Sequence, residues 1–170
     1  MPERNVIELN AVDEAALAAA ARAAAPIVRS GGSIHLAGPL GAGKTTFARA
    51  MLHALGAGER IKSPTYTLIE TYALDGVIVQ HLDLYRIAAA DELEWLGLRD
   101  LADDAVLWLI EWPERGIGAI PAPDWVVELA HASDGRDMRL HAKSPLGERW
   151  LEAWRRAQAD QDRQIVSADS

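Results

Sequence analysis

Short apolar runs bounded by glycine, proline and polar residues recur along the chain and predict β-strands, because each run is too short for a typical helix. The predicted strands are Asn5–Leu9, Ser33–Ala37, Tyr66–Leu74, Val77–Leu82, Ala105–Ile110, Trp125–Leu129 and Met138–Ala142. Two pairs of these runs flank the turn sequences Asp75-Gly76 and Ser133-Asp134-Gly135, which favour β-hairpins. Two antiparallel strand pairs are therefore expected.

Longer stretches between these runs predict helices. Asp13 can cap the first of them, an alanine-rich segment that Pro26 limits or kinks. Gly56 and Gly58 end the second. The predicted helices are Ala15–Ala25, Thr45–Leu55, Asp91–Leu101 and Gly147–Ala159.

Strands and helices alternate in the first part of the chain, which predicts an α/β fold. Its mixed sheet should have a parallel core with antiparallel additions and be flanked by helices. Residues 1–160 are expected to form a single domain, since 170 residues is an ordinary domain length. The polar residues 161–170 are expected to form a disordered tail.

Composition and charge exclude several classes of protein. With 49% apolar and 25% charged residues the chain has an ordinary globular composition. Its 25 acidic residues outnumber 17 basic ones, and the net charge of −8 disfavours direct binding to a nucleic-acid backbone. The absence of cysteine excludes a disulfide scaffold, a thiolate metal site and a thiol nucleophile.

The alanine-rich segment is the one candidate for a secretory signal. It follows Asp13 and Glu14 rather than a basic stretch, and it contains Arg22. No run in the sequence approaches the roughly 20 apolar residues that cross a bilayer. A cytoplasmic protein is therefore expected.

The segment Gly38-Pro39-Leu40-Gly41-Ala42-Gly43-Lys44-Thr45 fits the phosphate-binding pattern G-x-x-x-x-G-K-[ST] at every fixed position. A predicted strand precedes it and a predicted helix follows it, as this pattern requires. Glycines let backbone N–H groups turn towards a phosphate, and the helix N-terminus adds donors and partial positive charge. Lys44 is expected to reach the β- and γ-phosphates, and the Thr45 hydroxyl to ligate Mg²⁺. Nucleotide binding is therefore predicted.

Two acidic residues end apolar strands and are candidates for the Mg²⁺ site and for hydrolysis. Asp83 follows Val77–Leu82 and either supports Mg²⁺ or caps a turn. Glu111 ends another apolar run and could polarise a water for attack on the γ-phosphate, hold that water through Mg²⁺, or be a solvated strand-end carboxylate. Pro113 is expected to stop the strand and to hold Trp112 extended.

Thr65 lies in the segment Ser63-Pro64-Thr65, soon after the helix that follows the phosphate-binding loop. A threonine in a mobile loop there either senses the γ-phosphate or Mg²⁺, as switch segments do, or belongs to an ordinary turn capped by Ser63.

The nucleotide base that the sequence favours is adenine, because the chain lacks the Asn-Lys-x-Asp sequence by which GTPases of the Ras type read guanine.

Taken in order, these motifs resemble the TsaE (YjeE) family of bacterial tRNA threonylcarbamoyladenosine biosynthesis ATPases. The strings Ser-Pro-Thr-Tyr-Thr-Leu, Asp-Leu-Tyr-Arg and Glu-Trp-Pro are more specific to this family than the phosphate-binding loop is. The resemblance covers about residues 5–142. Its matching segments are 41–47, 63–68, 81–86, 98–100 and 110–114.

The resemblance implies a small P-loop NTPase-like α/β protein that binds ATP and Mg²⁺. It implies a role in the N6-threonylcarbamoyladenosine (t6A) modification of adenosine 37 in tRNAs that read ANN codons. The implied partners are the TsaD and TsaB proteins, through which alone the chain would reach tRNA. The implied ATP cycle supports multiple turnover of the modifying complex and does not itself transfer the threonylcarbamoyl group.

Carried over residue by residue, the resemblance implies that Lys44 holds phosphate and that Thr45, Glu111 and Asp83 support Mg²⁺. Glu111 and Asp83 are also the implied catalytic residues, and Thr65 joins them in completing the hydrolytic site. Trp112 is implied to be a positioning or partner-contact residue near the nucleotide. The residues expected to bind the nucleotide are Gly38, Gly41, Ala42, Gly43, Lys44, Thr45, Thr46, Glu14, Arg136 and Trp112.

Three positions are departures from the family pattern or less specific matches. Many relatives carry Asp where this chain has Pro39, which stiffens the loop and leaves its phosphate-facing glycines intact. Relatives often have Thr in the first helix near the nucleotide, and Glu14 is the expected replacement here. Arg136, in the turn before the last predicted strand, matches a position that contacts nucleotide.

Two other functions use the same loop. A small-molecule or polynucleotide kinase needs an acceptor pocket and often an arginine-rich lid, and the sequence shows no arginine cluster and no room for a large lid between Asp83 and Glu111. A nucleotide-dependent binding module without turnover would not need Glu111. Free phosphate, a phosphorylated acceptor or neither would identify the ATPase, the kinase and the module respectively.

Several other residues have less specific roles. His35, within a predicted strand, is expected to be a structural histidine, and His81 could orient the loop that carries Asp83. Arg86 either neutralises γ-phosphate charge or pairs with an acid. The remaining tryptophans are expected to pack in the core because an indole buries a large area. They are Trp95, Trp108, Trp125, Trp150 and Trp154.

Overall fold

The computed structural model describes residues 4–101 and 106–169, without the side chains of Trp95 and Arg99. Its strands are β1 (Val6–Val12), β2 (Gly32–Ala37), β3 (Ile69–Leu74), β4 (Val77–Asp83), β5 (Val106–Glu111), β6 (Trp125–Ala132) and β7 (Gly135–Ala142). Its α-helices are α1 (Glu14–Val28), α2 (Lys44–Ala54) and α3 (Pro145–Ala168). Each predicted strand is present, although the predicted start of β5 at Ala105 lies outside the described residues.

The strands form one sheet in the order β1-β7-β6-β2-β5-β4-β3. The four neighbouring strands β6, β2, β5 and β4 run parallel. Antiparallel pairs extend the sheet on both sides, with β7 and β1 beside β6 and with β3 beside β4. The predicted fold class, a P-loop NTPase-like mixed sheet with a parallel core, antiparallel additions and flanking helices, is confirmed.

The carboxyl ends of the central strands meet at one edge of the sheet. Asp83 of β4 is the register partner of Glu111 of β5, and Leu36 of β2 pairs with Glu111 from the other side. The segment from Gly38 to Gly43 leaves the sheet directly after β2 and leads into α2. In open α/β sheets, ligands bind at this edge of the parallel strands.

The two faces of the sheet have separate hydrophobic cores, and side chains of β5 alternate between them. Leu107 and Leu109 face the cluster that contains α1, α2 and α3, while Trp108 and Ile110 face the other. Short 3₁₀ helices and loops cover that second face, rather than an α-helix. This alternation is the period-two pattern that a strand imposes. The tryptophans predicted to lie in the core are buried where they are described: Trp108, Trp125, Trp150 and Trp154.

Asp13 caps α1 as predicted, because its Oδ1 accepts a hydrogen bond of 2.7 Å from the backbone N–H of Ala16. Pro26 lies inside α1, which continues to Val28, so the proline does not end the helix. Alanines that are almost fully buried, such as Ala21 and Ala24, form the inner face of α1. None of the helices in the described residues is long and apolar enough to cross a membrane.

The prediction of one continuous helix over Asp91–Leu101 is wrong. The chain forms two 3₁₀ helices there, Ala90–Leu96 and Leu98–Leu101, and Gly97 separates them. Gly97 has a φ of 63°, a left-handed conformation that interrupts a right-handed helix and that glycine adopts readily. The pieces cover the sheet through the buried Leu93 and Leu98.

The predicted end of the last helix at Ala159 is also wrong. Helix α3 continues to Ala168, so residues 161–168 of the predicted disordered tail are helical and exposed. Trp150, Leu151 and Trp154 bury the first half of α3, and no glycine or proline follows them to stop the helix. The polar second half extends it through residues of good helix propensity. The extent of the domain, residues 1–160, stays a prediction.

Candidate functional site

The phosphate-binding pattern forms a tight loop between β2 and α2. Gly38 has a φ of 145°, and a Cβ there would lie 2.3 Å from the carbonyl oxygen of Leu129 on β6. Gly43 has a φ of 108° and is the N-cap of α2, where no side chain caps the helix. Opposite Gly43 lie Leu17 of α1 and Arg136 of β7. The loop therefore needs glycine both for its backbone angles and for its close approach to neighbouring elements.

Lys44 is buried in the loop, with 5% of its surface exposed. Its Nζ donates hydrogen bonds to the carbonyl oxygens of Gly38 (2.6 Å) and Pro39 (2.8 Å), and it lies 4.2 Å from the ring centre of Trp112. Burial lowers the pKa of the Lys44 ammonium, and nearby carboxylates, Glu111 foremost, oppose that shift. An ammonium held by carbonyls and an aromatic ring is available to an incoming anion.

Glu111 connects α2, β4 and β5 through both oxygens of its carboxylate. The Thr45 hydroxyl, in the first turn of α2, donates to Oε1 at 2.7 Å. The other oxygen, Oε2, lies 2.7 Å from Nε2 of His81 on β4. Glu111 and His81 are almost fully buried, at 2% and 1% exposure. Glu111 is therefore not a solvated strand-end carboxylate.

Asp83 lies beside Glu111 at the carboxyl edge of the sheet and is half-buried. Its Oδ1 accepts a hydrogen bond of 3.0 Å from the backbone N–H of Tyr85. Burial raises the pKa of Asp83, the Tyr85 hydrogen bond lowers it, and the charge of Glu111 raises it further. Two carboxylates in one partly dehydrated site favour a cation between or beside them.

Trp112 follows Glu111 in a conformation that the sequence did not predict. The expectation of an extended Trp112 before Pro113 is wrong, since this residue has φ 56° and ψ 50°. The left-handed turn brings the indole against Lys44 and Tyr85, whose ring centre is 5.0 Å from that of Trp112. A non-glycine residue in this region costs about 1–3 kcal/mol, which these ring contacts offset.

These elements enclose a pocket of about 360 Å³ at the carboxyl edge of the sheet. Leu40, Tyr85 and Arg86 contribute to its lining along with most of the predicted site residues. The predicted residues that line it are Gly41, Gly43, Lys44, Thr45, Thr46, Thr65, Asp83, Glu111, Trp112 and Arg136.

Three of the predicted nucleotide-binding residues do not line this pocket. Gly38 contributes its carbonyl oxygen to Lys44, and Ala42 is fully buried beneath the loop. Glu14 is exposed in the first turn of α1. Glu14 is thus not brought into the pocket with the others.

Thr65 and two arginines reach the pocket from distant parts of the chain. The hydroxyls of Thr65 and Ser63 share a hydrogen bond of 2.7 Å in the loop before β3. Arg86 lies over the exposed ring of Tyr66 at 4.7 Å, and Arg136 comes from the start of β7. The sequence shows no arginine cluster, yet the fold brings both arginines to one site.

The family model described as "Threonylcarbamoyl adenosine biosynthesis protein TsaE" matches residues 11–139. The chain belongs to the TsaE family. The match begins just before α1 and ends within β7, so it includes every residue of the pocket.

Individual TsaE proteins are similar over most of their length. The tRNA threonylcarbamoyladenosine biosynthesis protein TsaE of Haemophilus influenzae is 43% identical over 121 residues, which are 71% of this chain and 77% of that protein. The protein of the same name from Bacillus subtilis is 35% identical over 117 residues, 68% of this chain and 72% of its own. In three dimensions, the crystal structure of Bacillus subtilis YdiB superposes with a TM-score of 0.71 at 26% identity, covering 90% of this chain and 96% of YdiB.

The loop of this TsaE-family chain fits a nucleotide phosphate. The amides at the start of α2 have no side-chain cap, so an anion can accept from them. Lys44 supplies a buried positive charge in the same place. Arg86 and Arg136 add two more cationic side chains to the pocket wall.

The oxygen atoms beside the loop fit Mg²⁺, which prefers oxygen ligands. The candidates are the Thr45 hydroxyl and the carboxylates of Glu111 and Asp83. No group of three or more His, Cys, Asp or Glu side chains in the described part of the chain could hold a metal ion by itself.

Sequence reasoning gave no role to Tyr85 and did not foresee the bond between His81 and Glu111. Tyr85 and His81 both lie in the string His81-Leu82-Asp83-Leu84-Tyr85-Arg86, which marks the TsaE resemblance. The sequence signal that could have revealed this bond was His81 itself, which stands two positions before the strand-end acid Asp83 and therefore on the same face of the strand. Its partner was hidden because Glu111 lies 30 positions away.

Proposed function

We propose that this TsaE-family chain is a Mg²⁺-dependent ATPase that supports t6A modification of tRNA together with the TsaD–TsaB pair. One observation carries the proposal: the Thr45 hydroxyl bonds to the buried carboxylate of Glu111 beside the loop that holds Lys44. A loop of this kind with an acid at the end of the neighbouring strand is the arrangement used to bind and hydrolyse nucleoside triphosphates.

ATP would bind with its phosphates in the loop. The uncapped amides of α2 and the Lys44 ammonium would donate to the β- and γ-phosphates, in place of the carbonyl contacts that Lys44 makes now. Arg86 and Arg136 lie where they could neutralise further phosphate charge. The pocket thus has several donors for a triphosphate.

Thr45, Glu111 and Asp83 are the residues that would hold Mg²⁺. When bound, the ion would supply neutralisation of the charge that develops on the phosphate oxygens. The Thr45 hydroxyl can donate its hydrogen to Glu111 while its lone pairs face a cation, so the bond to Oε1 is compatible with this role.

Glu111 is also the residue that we propose to orient the attacking water. Its carboxylate lies at the strand end, and its two present hydrogen bonds fix its direction. A positioned carboxylate contributes about 10²- to 10⁴-fold to a proton-transfer step. Asp83 and Thr65 would complete this side of the site, as the family resemblance implies.

The experiment that tests the proposal is phosphate release from ATP by the purified chain, alone and with the TsaD–TsaB pair from the same source. We expect slow release alone and clear stimulation by the pair, because a site that a partner completes is slow without it. The activity should require Mg²⁺ and be lost in Lys44→Ala. A Lys143→Ala variant, which changes an exposed lysine directly after the end of β7, serves as the matched control.

Other outcomes would overturn the ATPase proposal. ATP binding followed by a phosphorylated acceptor and no free phosphate would indicate a kinase. Binding with neither product, with and without the pair, would indicate a nucleotide-dependent binding module.

A further inference from the structure

His81 is buried on β4 in direct contact with a residue of the proposed hydrolytic site. Its Nε2 lies 2.7 Å from Oε2 of Glu111, and neither side chain reaches solvent to a meaningful degree. Asp83, two positions further along β4, is the register partner of Glu111. His81 therefore lies on the same face of the sheet as Glu111, on the neighbouring strand and two positions before the register partner of Glu111.

The contact fixes which ring nitrogen carries a hydrogen. An ionised carboxylate only accepts, so Nε2 of His81 must be the donor to Oε2. The second nitrogen, Nδ1, has no hydrogen-bond partner among the described residues. A buried polar atom without a partner is unfavourable, and its presence calls for a reason beyond packing.

His35 shows what a merely structural buried histidine does in this chain. It is also almost fully buried, but its Nε2 bonds to the backbone carbonyl of Pro121, outside the pocket. His81 instead bonds to the carboxylate of Glu111, which also accepts a hydrogen bond from Thr45 at the start of α2. The two histidines share burial and differ in their partner.

We propose that His81 is a positioning residue, whose Nε2–H holds the Glu111 carboxylate in the orientation that directs Oε1 to Thr45 and the pocket. The proposal rests on the proposed hydrolytic function of Glu111. Without His81, Oε2 loses its donor, and the carboxylate is free to rotate away from Thr45 and the pocket. A small misplacement of such a group reduces rate by up to about 100-fold.

The test compares two polar substitutions that put a donor at different distances from the backbone. In His81→Gln, the amide nitrogen takes the place of Nε2, and in His81→Asn, it takes the place of Nδ1. With TsaD–TsaB present, we expect His81→Asn to lower kcat about 10- to 100-fold and His81→Gln to restore most of it. The KM for ATP and the Kd from titration calorimetry should stay within about threefold, because His81 does not line the pocket.

The control is His35→Gln, which changes the other buried histidine and should leave kcat unchanged. Equal kcat in His81→Asn and wild type would overturn the positioning role alone. A loss of kcat that His81→Gln does not restore, or that the Kd for ATP follows, would also overturn it. A wild-type chain that releases no phosphate under any condition would instead overturn the hydrolytic function, and the role of His81 with it.

A second readout does not depend on turnover. Nitrogen-15 NMR of labelled imidazole rings in the full chain should show His81 with its hydrogen on Nε2, and Glu111→Leu should shift that signal while leaving His35 unchanged. A His81 ring with hydrogen on Nδ1 alone would overturn the proposed geometry.

Discussion

The hydroxyl of Thr45 donates a 2.7 Å hydrogen bond to Oε1 of Glu111, across 66 positions of sequence. Thr45 belongs to the first turn of α2, and Glu111 is the last residue of β5. The bond joins the phosphate-binding loop to the acid at the neighbouring strand end. Any ligand that takes the Thr45 oxygen therefore acts on the carboxylate that we propose for hydrolysis.

Lys44→Ala should abolish ATP binding or turnover. The substitution removes the buried ammonium that faces the phosphate site, and hydrogen bonds to charged groups are worth about 1.5–3 kcal/mol each. Titration calorimetry should show ATP affinity reduced at least about 10-fold. Lys143→Ala should bind ATP as the wild type does. Wild-type affinity and turnover in Lys44→Ala would contradict the phosphate role.

Glu111→Ala should keep substantial ATP binding and lose hydrolysis. In the proposed mechanism the loop and Lys44 bind the phosphates whereas Glu111 orients the water, so kcat should fall about 10²- to 10⁴-fold with a smaller change in Kd. Glu111→Gln keeps the shape and should give the same result with less loss of stability. Phosphate release at the wild-type rate in both variants would exclude this role.

ATP should change the tryptophan fluorescence of the chain through Trp112. The Lys44 ammonium lies 4.2 Å from the centre of this ring, and a bound phosphate would draw it away. In Trp112→Phe, the ATP-dependent change should disappear while calorimetry still detects binding. Trp154→Phe, which alters an indole between α3 and α1, should retain the change. A full signal in Trp112→Phe would show that another tryptophan reports binding.

Gly38→Ala should destabilise the protein more than Gly76→Ala. Both glycines have positive φ, and a Cβ in that region costs about 1–2 kcal/mol. At Gly76, nothing lies within 4 Å of the added atom, whereas at Gly38, the carbonyl oxygen of Leu129 is 2.3 Å away and overpacking adds about 1–3 kcal/mol. Urea unfolding measures both. Equal losses would contradict the close approach of the loop to β6.

The protein should lose stability on acidification below about pH 6.5, partly through His35. Burial lowers the pKa of His35 below its usual value, so the unfolded chain binds a proton before the folded one does. The neutral folded form contributes its full stability above the unfolded pKa, and the contribution falls as the pH drops towards the folded pKa. His35→Gln should flatten the fall in unfolding free energy between about pH 6.5 and 5. Equal slopes in the wild type and in His35→Gln would contradict the prediction.

Most elements of the fold could be predicted from local patterns. The apolar runs, the Asp75-Gly76 turn and the cap at Asp13 are each contained within a few residues, and each was confirmed. The two errors in the helices arose where local pattern is weak. A left-handed Gly97 divided a predicted helix, and exposed polar residues without a stop signal continued α3 to Ala168.

The sequence by itself determined the loop of the phosphate-binding pattern, because its glycines, Lys44 and Thr45 lie within eight consecutive positions and their chemistry depends on local backbone geometry. It also selected Glu111 and Asp83 as strand-end acids. Only the tertiary structure decided that His81 and Thr45 hold Glu111 between them, and that Trp112 turns back over Lys44. Those contacts depend on the order and register of parallel strands, which bring Glu111 beside His81 from 30 positions away and beside Thr45 from 66 positions away.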